Sequence, residues 1–208
     1  MKITYKKGKG DKIHVSVDGE YAFTVDEAYF YSLNLKENTE LTVEELSEIT
    51  LKAGERRAYN YAVSLLSRRE HTVKEIVDKL KRKDYGQFAE KTADRLMSEG
   101  YLSDERFAKL YVRELINLKS YGRRRIKDEL FRKGISREIA DEVLIEAEFP
   151  DNRLKEIINK KYFRYLDNEK GIQKTINALL RLGYSYGEIR DALRESADEN
   201  NIYEVYDE

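Results

Sequence analysis

Between positions 3 and 25 hydrophobic residues alternate with polar ones, and beyond position 42 they recur every third or fourth residue almost to the end. A period of two predicts strands and a period of 3.6 predicts helices. Ile13, Val15 and Val17, then Tyr21, Phe23 and Val25, flank the turn dipeptide Asp18-Gly19 and predict a β-hairpin; Ile3 and Tyr5 suit a third strand. A two-residue loop pairs Val15 with Ala22 and puts the apolar rows on opposite faces. A three-residue loop ending at Gly19 pairs Val15 with Tyr21 and Ile13 with Phe23, giving one apolar face, so the odd loop is the expectation. A bare hairpin is marginal and has to lean on the helices C-terminal to it. Asp26 is placed to cap a short helix ending near Asn34. Thr42-Val43-Glu44-Glu45 is a capping box opening a helix with Leu46 and Ile49 inward.

The helical pattern is clearest over residues 100–135, GYLSDERFAKLYVRELINLKSYGRRRIKDELFRKGI. Phe107, Ala108, Tyr111, Val112, Leu115 and Leu118 make one stripe, opened by Ser103 or Asp104. After Ser120-Tyr121-Gly122 a second helix carries Ile126 and Leu130 and stops at Gly134, and Ser136 caps a third through Ile139, Ala140, Val143 and Leu144. Overlaying second helices reveals a repeat: Ile76 and Leu80 lead to Asp84, Ile126 and Leu130 to Gly134, Thr175 and Leu179 to Gly183. An amphipathic helix precedes each (58–68, 105–118, 154–166), and another comes after each, through Ala93 and Leu96, Ile139 and Val143, and Ile189 and Leu193. Thr72-Val73-Lys74-Glu75 and Ser185-Tyr186-Gly187-Glu188 are further capping boxes, and the sole proline, Pro150, reads as a boundary.

The fold class expected is mainly α, tandem three-helix repeats in an elongated array with a small N-terminal β-hairpin region. The expected division is residues 1–52 (hairpin and short helices), 53–104, 105–149 and 150–196 (three repeats) and 197–208 (an acidic tail). One three-helix unit buries little, and stacked neighbours extend the core. Helices of about 15 residues are roughly 22 Å long, so three units would reach on the order of 60 to 70 Å, a form suited to a long groove rather than a small pocket.

The run GYL.D..FA..YV followed by K.YG..RI..EL..KGI resembles the RecX family of bacterial regulators of the RecA recombinase, with a weaker likeness from about position 58 to 194. The matching residues are Gly100, Tyr101, Leu102, Asp104, Phe107, Ala108, Tyr111 and Val112, then Gly122, Ile126, Glu129, Leu130, Lys133, Gly134 and Ile135. Most are packing and capping positions, which identify a fold more than a contact surface. The resemblance implies an all-helical array that lies in the groove of the RecA nucleoprotein filament and inhibits recombination and ATP hydrolysis, a role in DNA repair and the SOS response. Lys83-Asp84-Tyr85 and Leu182-Gly183 depart from the family's Lys-Gly, and the hairpin is an extension that the pattern does not cover.

Composition narrows the chemistry. Of the 208 residues 38% are charged, as expected for helices with narrow apolar stripes and wide solvated faces; there is no cysteine, hence no disulfide, thiolate nucleophile or cysteine metal site. His14 and His71 are the only histidines, too few for a His-rich metal site, and His71 reads as a surface or capping residue. Gly8-Lys9-Gly10 lacks the spacing of a nucleotide-binding loop and reads as a turn. The expectation is a non-enzyme without cofactor or metal, monomeric and cytoplasmic, since no apolar run suggests a signal peptide or a membrane span.

The net charge of -1 conceals a division. Residues 1–52 carry 7 Lys+Arg against 10 Asp+Glu, 53–104 carry 11 against 9, 105–147 carry 11 against 8, and 148–208 carry 10 against 13, so basic charge concentrates in the centre. The candidate filament- or DNA-binding residues are Arg68, Arg69, Lys79, Lys81, Arg82, Lys83, Tyr121, Arg123, Arg124, Arg125, Lys127, Arg132 and Lys133. Such residues bind phosphate without reading bases. The rival reading is a solvated face, with Arg124 paired to Asp128 and Arg125 to Glu129 at i,i+4. Of the tyrosines beside basic residues, Tyr61, Tyr111 and Tyr165 fall on core stripes, while Tyr121 at a helix junction is the candidate for an exposed stacking platform. Two functions remain open: a regulator docking on the RecA filament with weak contacts to single- or double-stranded DNA, or a direct DNA binder of helix-turn-helix type. The helix after Gly122 offers nearly only Arg, Lys, Asp and Glu, not the side chains that read base edges, which favours the first.

Overall fold

A computed structural model of the chain describes residues 1–36 and 39–199; the expected acidic tail lies, from position 200 on, outside the described residues. The chain divides into two compact units, Met1–Leu102 and Ser103–Glu208.

The first unit opens with a three-stranded antiparallel sheet, β1 (Ile3–Lys7), β2 (Lys12–Val17) and β3 (Glu20–Asp26), in that order. The loop between β2 and β3 is the two-residue one, correcting the odd loop expected. Val17 pairs with Glu20, and Asp18 (φ 49°) and Gly19 (φ 90°) both take the left-handed conformation that a type I′ turn requires. The single apolar face is recovered by a bulge: the register shifts at Val15/Ser16, leaving Ala22 the extra residue, so that Val15 faces Phe23 and Ile13 faces Val25. These side chains are buried with Ile3, Phe30 of α1 (Glu27–Ser32, capped by Asp26) and Ala53.

Ala53 belongs to α2 (Val43–Leu66), which the Thr42 capping box opens and which runs without a break through position 52, where a boundary was expected. One helix serves two cores. Its first half covers the sheet, while Ala58 and Ala62 pack into a second cluster with Ile76 and Leu80 of α3 (Val73–Lys81) and Ala93 and Leu96 of α4 (Ala89–Ser98). Alanine there lets the helices approach closely, and Phe88 lies over Gly54, where a Cβ would meet its ring at 2.5 Å.

The second unit holds two further sets of three helices. α5 (Asp104–Glu114), α6 (Arg123–Arg132) and α7 (Arg137–Glu146) enclose Phe107, Val112, Ile126, Leu130 and Val143. α8 (Arg153–Ile157), α9 (Glu169–Arg181) and α10 (Tyr186–Glu199) enclose Leu154, Ile158, Leu179, Ile189 and Leu193. Leu80, Leu130 and Leu179 are each fully buried. Their carbonyls accept from the amides of Tyr85, Ile135 and Tyr184, five residues on, across left-handed Asp84 (φ 60°), Gly134 (φ 84°) and Gly183 (φ 93°). The same helix terminator is thus used three times, and Asp84 fills the glycine position because a short polar side chain tolerates that conformation.

Two stripes depart from simple periodicity. α5 continues into a π turn (Leu115–Lys119) and α8 into another (Ile158–Tyr162) followed by a 3₁₀ turn (Phe163–Tyr165). A π turn shifts the phase of the residues beyond it. Leu118, expected inside, is 74% exposed and Ile116 is buried instead; Tyr165, also expected inside, is 44% exposed, and Leu166 turns in. Tyr61 and Tyr111 do pack against their cores. His71, expected as a surface or capping residue, is not at the surface: it is buried, its Nδ1 2.8 Å from Glu75 Oε2.

Candidate partner-binding surface

The candidate residues fall separately in the two units. In the first, Arg68 and Arg69 come after α2, and Lys79, Lys81, Arg82 and Lys83 lie along and beyond the last turn of α3. Arg69 Nη1 donates to Glu75 Oε2 (2.9 Å) and to the Glu70 carbonyl (2.8 Å); Lys81 pairs with Glu90 at 3.0 Å; Arg82 Nε donates to the Asp78 carbonyl (3.1 Å). Arg68 and Lys83 are exposed and, among the described residues, meet no carboxylate. The Lys81–Glu90 pair is solvent-exposed and worth about 0–1 kcal/mol, so an anionic partner displaces it at small expense, whereas the carboxylate that holds Arg69 is largely buried beside His71.

In the second unit Arg123, Arg124, Arg125, Lys127, Arg132 and Lys133 ride on α6 and its end, and most are engaged. Arg123 Nη1 donates to the Leu144 carbonyl (2.6 Å) in the last turn of α7, with its guanidinium 4.1 Å from the Phe149 ring centre. That is a favourable place for a cation, at the negative end of the helix. Lys127 grips Asp141 of α7 and holds that carboxyl below the usual range. Arg125 and Arg132 share Glu129 at 2.9 and 3.1 Å. Lys133 lies over Phe107 and Tyr111, and burial pushes up the pKa of the Tyr111 hydroxyl. Of the two intrahelical pairs expected, Arg125–Glu129 forms and Arg124–Asp128 does not. Tyr121, expected as an exposed platform, is half-buried against the α5–α7 core, with Arg125 5.5 Å from its ring centre. The surface left to a partner is an outward row of Arg124, Asp128, Phe131 and Arg132. Phe131, 41% exposed, was not anticipated; the signal for it was an apolar residue off the Ile126/Leu130 stripe.

The turn before α6 is covered from behind. The Gly122 amide donates to the Leu182 carbonyl (2.8 Å) and the Arg124 amide to the Gly183 carbonyl (3.3 Å). The Tyr184 hydroxyl, its pKa pushed up by burial, donates to the Ser120 carbonyl (3.1 Å). Arg153 Nη2 donates to the carbonyls of Ile116 and Asn117 (3.2 and 2.8 Å), which the π turn leaves free of regular helical partners. The joint between the second and third helix sets is therefore built of backbone groups, one tyrosine hydroxyl and one arginine, groups without the periodicity that reveals a stripe.

Among the described residues no helix is long and apolar enough to cross a membrane, and no group of three or more His, Cys, Asp or Glu is placed to hold a metal ion. Fold and surface together define a mainly helical protein of tandem three-helix domains, charged on its outer faces. Residues 58–98 match the first three-helix domain of RecX and residues 103–144 the second. The regulatory protein RecX of Caldanaerobacter subterraneus subsp. tengcongensis is 34% identical over 189 residues, 90% of this chain and 95% of the relative; that of Clostridium acetobutylicum is 31% identical over 209 residues, 96% and 97%. A crystal structure of regulatory protein RecX superposes with a TM-score of 0.71 at 28% identity, covering 91% of this chain and 98% of that one. The chain belongs to the RecX family of regulatory proteins.

Proposed function

We propose that this protein binds the RecA–DNA filament in its groove and inhibits RecA's recombinase and ATPase activity, acting in the cytoplasm as a monomer and touching DNA weakly through the basic residues of the first two repeats. The observation that carries the reading is the match of both three-helix domains, with full-length relatives named as regulatory proteins. The outward row of α6 supports it. Arg124 and Arg132 beside Phe131 offer a cationic and aromatic contact of the kind enriched at protein interfaces.

The covered turn weighs against a helix-turn-helix reader. Such a motif leads into the major groove with the N-terminal residues of its second helix, and here those backbone amides already bond Leu182 and Gly183. A titration separates the two. Strong binding to a RecA filament with weak, salt-sensitive binding to naked DNA supports the regulator, and tight sequence-dependent binding to naked duplex supports the reader.

A further inference from the structure

Counted as one block, residues 148–208 are acidic, 10 Lys+Arg against 13 Asp+Glu, yet within them residues 153–166 carry five Lys+Arg and one Asp+Glu. This basic segment coincides with the π and 3₁₀ turns after α8, an irregular stretch that leaves Phe163 39% and Tyr165 44% exposed. Asn159, Lys160, Lys161, Phe163 and Arg164 line an open concavity of about 540 Å³ with no acidic side chain in its wall. Arg164 stacks over the Tyr165 ring, 4.8 Å from its centre. The two lysines are less engaged than the cations of α6 other than Arg124. Lys161 has no carboxylate partner among the described residues, and Lys160 has only a loose, exposed pairing with Glu156 at 3.6 Å.

Regular helix would have carried the stripe on and turned different residues outward; the irregular turns instead leave two rings partly exposed among three cations, Tyr165 beneath Arg164 and Phe163 without a cation over it among the described residues. Exposed rings beside exposed cations fit a strand whose bases are unpaired: phosphates meet Lys and Arg, and a base lies on a ring. An acidic protein surface would satisfy the cations and leave the rings unexplained. A duplex hides its base faces.

We propose that this concavity is a binding site for single-stranded DNA, with Lys160, Lys161 and Arg164 on the phosphates and Phe163 stacking on a base. Naming DNA as the strand rests on the regulator reading; the stacking and phosphate contacts do not. The site lies in the third helix set and shares no residue with the central group that the charge count favoured.

The test is anisotropy of a labelled oligo-dT on the full chain over a salt series, with RecA-dependent ATP hydrolysis measured in parallel. The triple variant Lys160→Ala, Lys161→Ala, Arg164→Ala is expected to flatten the salt slope by about 2, since each phosphate contact on a single strand adds roughly 0.7. Phe163→Ala is expected to weaken binding about tenfold at unchanged slope, and Phe163→Trp to restore it. Circular dichroism checks that each variant is folded. Parent-like affinity and slope in the folded triple variant overturn the site; so does equal binding of duplex. Equal binding of oligo-U overturns the choice of DNA. Loss of oligo-dT binding by the variants, when the parent leaves RecA unaffected, upholds the site and removes the regulator reading alone.

Discussion

Gly122 and Gly183 lie backbone to backbone: a Cβ built on Gly122 would stand 2.5 Å from the Gly183 carbonyl oxygen, and one on Gly183 would collide with the backbone of Arg125. No side chain fits between the turn that opens α6 and the turn that closes α9. Gly183 also holds φ 93°, which a side chain would strain. Gly122→Ala and Gly183→Ala should each destabilise the second unit by about 1–3 kcal/mol in urea titrations, as backbone must shift to relieve the clash. Gly187→Ala is the control. Nothing lies within 4 Å of its Cβ position in the first turn of α10, so it should be neutral or gain up to about 1 kcal/mol.

Arg123 and Arg124 are neighbours with different work. Arg124→Glu should weaken inhibition of RecA roughly fivefold, about 1 kcal/mol of lost attraction, with the melting temperature unchanged. Arg123→Ala removes a charged donor from the Leu144 carbonyl and should cost about 1–3 kcal/mol of stability, whatever it does to binding. Reversing Arg123, Arg124 and Arg125 together mixes the two effects, so thermal melts of the single variants are the discriminating measurement.

The π turn after α5 makes an opposed pair of expectations. Leu118→Ser should be within about 0.5 kcal/mol of the parent, because that side chain already faces water. Ile116→Ala should cost about 2–5 kcal/mol, because it empties a buried site. A helix of unbroken period would reverse the order.

His71 gives the first unit a pH dependence. Burial pulls its pKa below the ordinary histidine value, opposed by the hydrogen bond to Glu75 and assisted by Arg69 and Lys79. The folded state therefore binds fewer protons than the unfolded one below the ordinary value near 6.5, and stability falls as pH drops through that value toward the depressed one. Urea midpoints of the full chain should decline between about pH 7 and pH 5, and His71→Gln should flatten that decline.

How much of this was legible in the sequence depended on whether a feature is periodic. The leucines at 80, 130 and 179, with their left-handed terminators, were legible from hydrophobic spacing because all three stop helices with one hydrogen-bond pattern. The hairpin's single apolar face was legible and the device was not. Asp18-Gly19 kept its preferred two-residue turn, and a bulge at Ala22 restored the register that burial demands. Leu118 and Tyr165 were misplaced because a π turn changes phase without any residue that announces it. The continuous α2 hid behind a change of partner from sheet to helices at Ala53 and Ala58. For the central cations, the sequence could show charge but not engagement: Arg123 and Lys127 were spent on α7, and only tertiary structure brings α7 alongside.

The most direct test of the account is RecA-catalysed ATP hydrolysis on single-stranded DNA, with this protein titrated in. A regulator of the RecX family should depress the rate in a saturable way, and Arg124→Glu should need more protein for the same effect. A rate that stays flat through a large excess of folded protein would contradict the account.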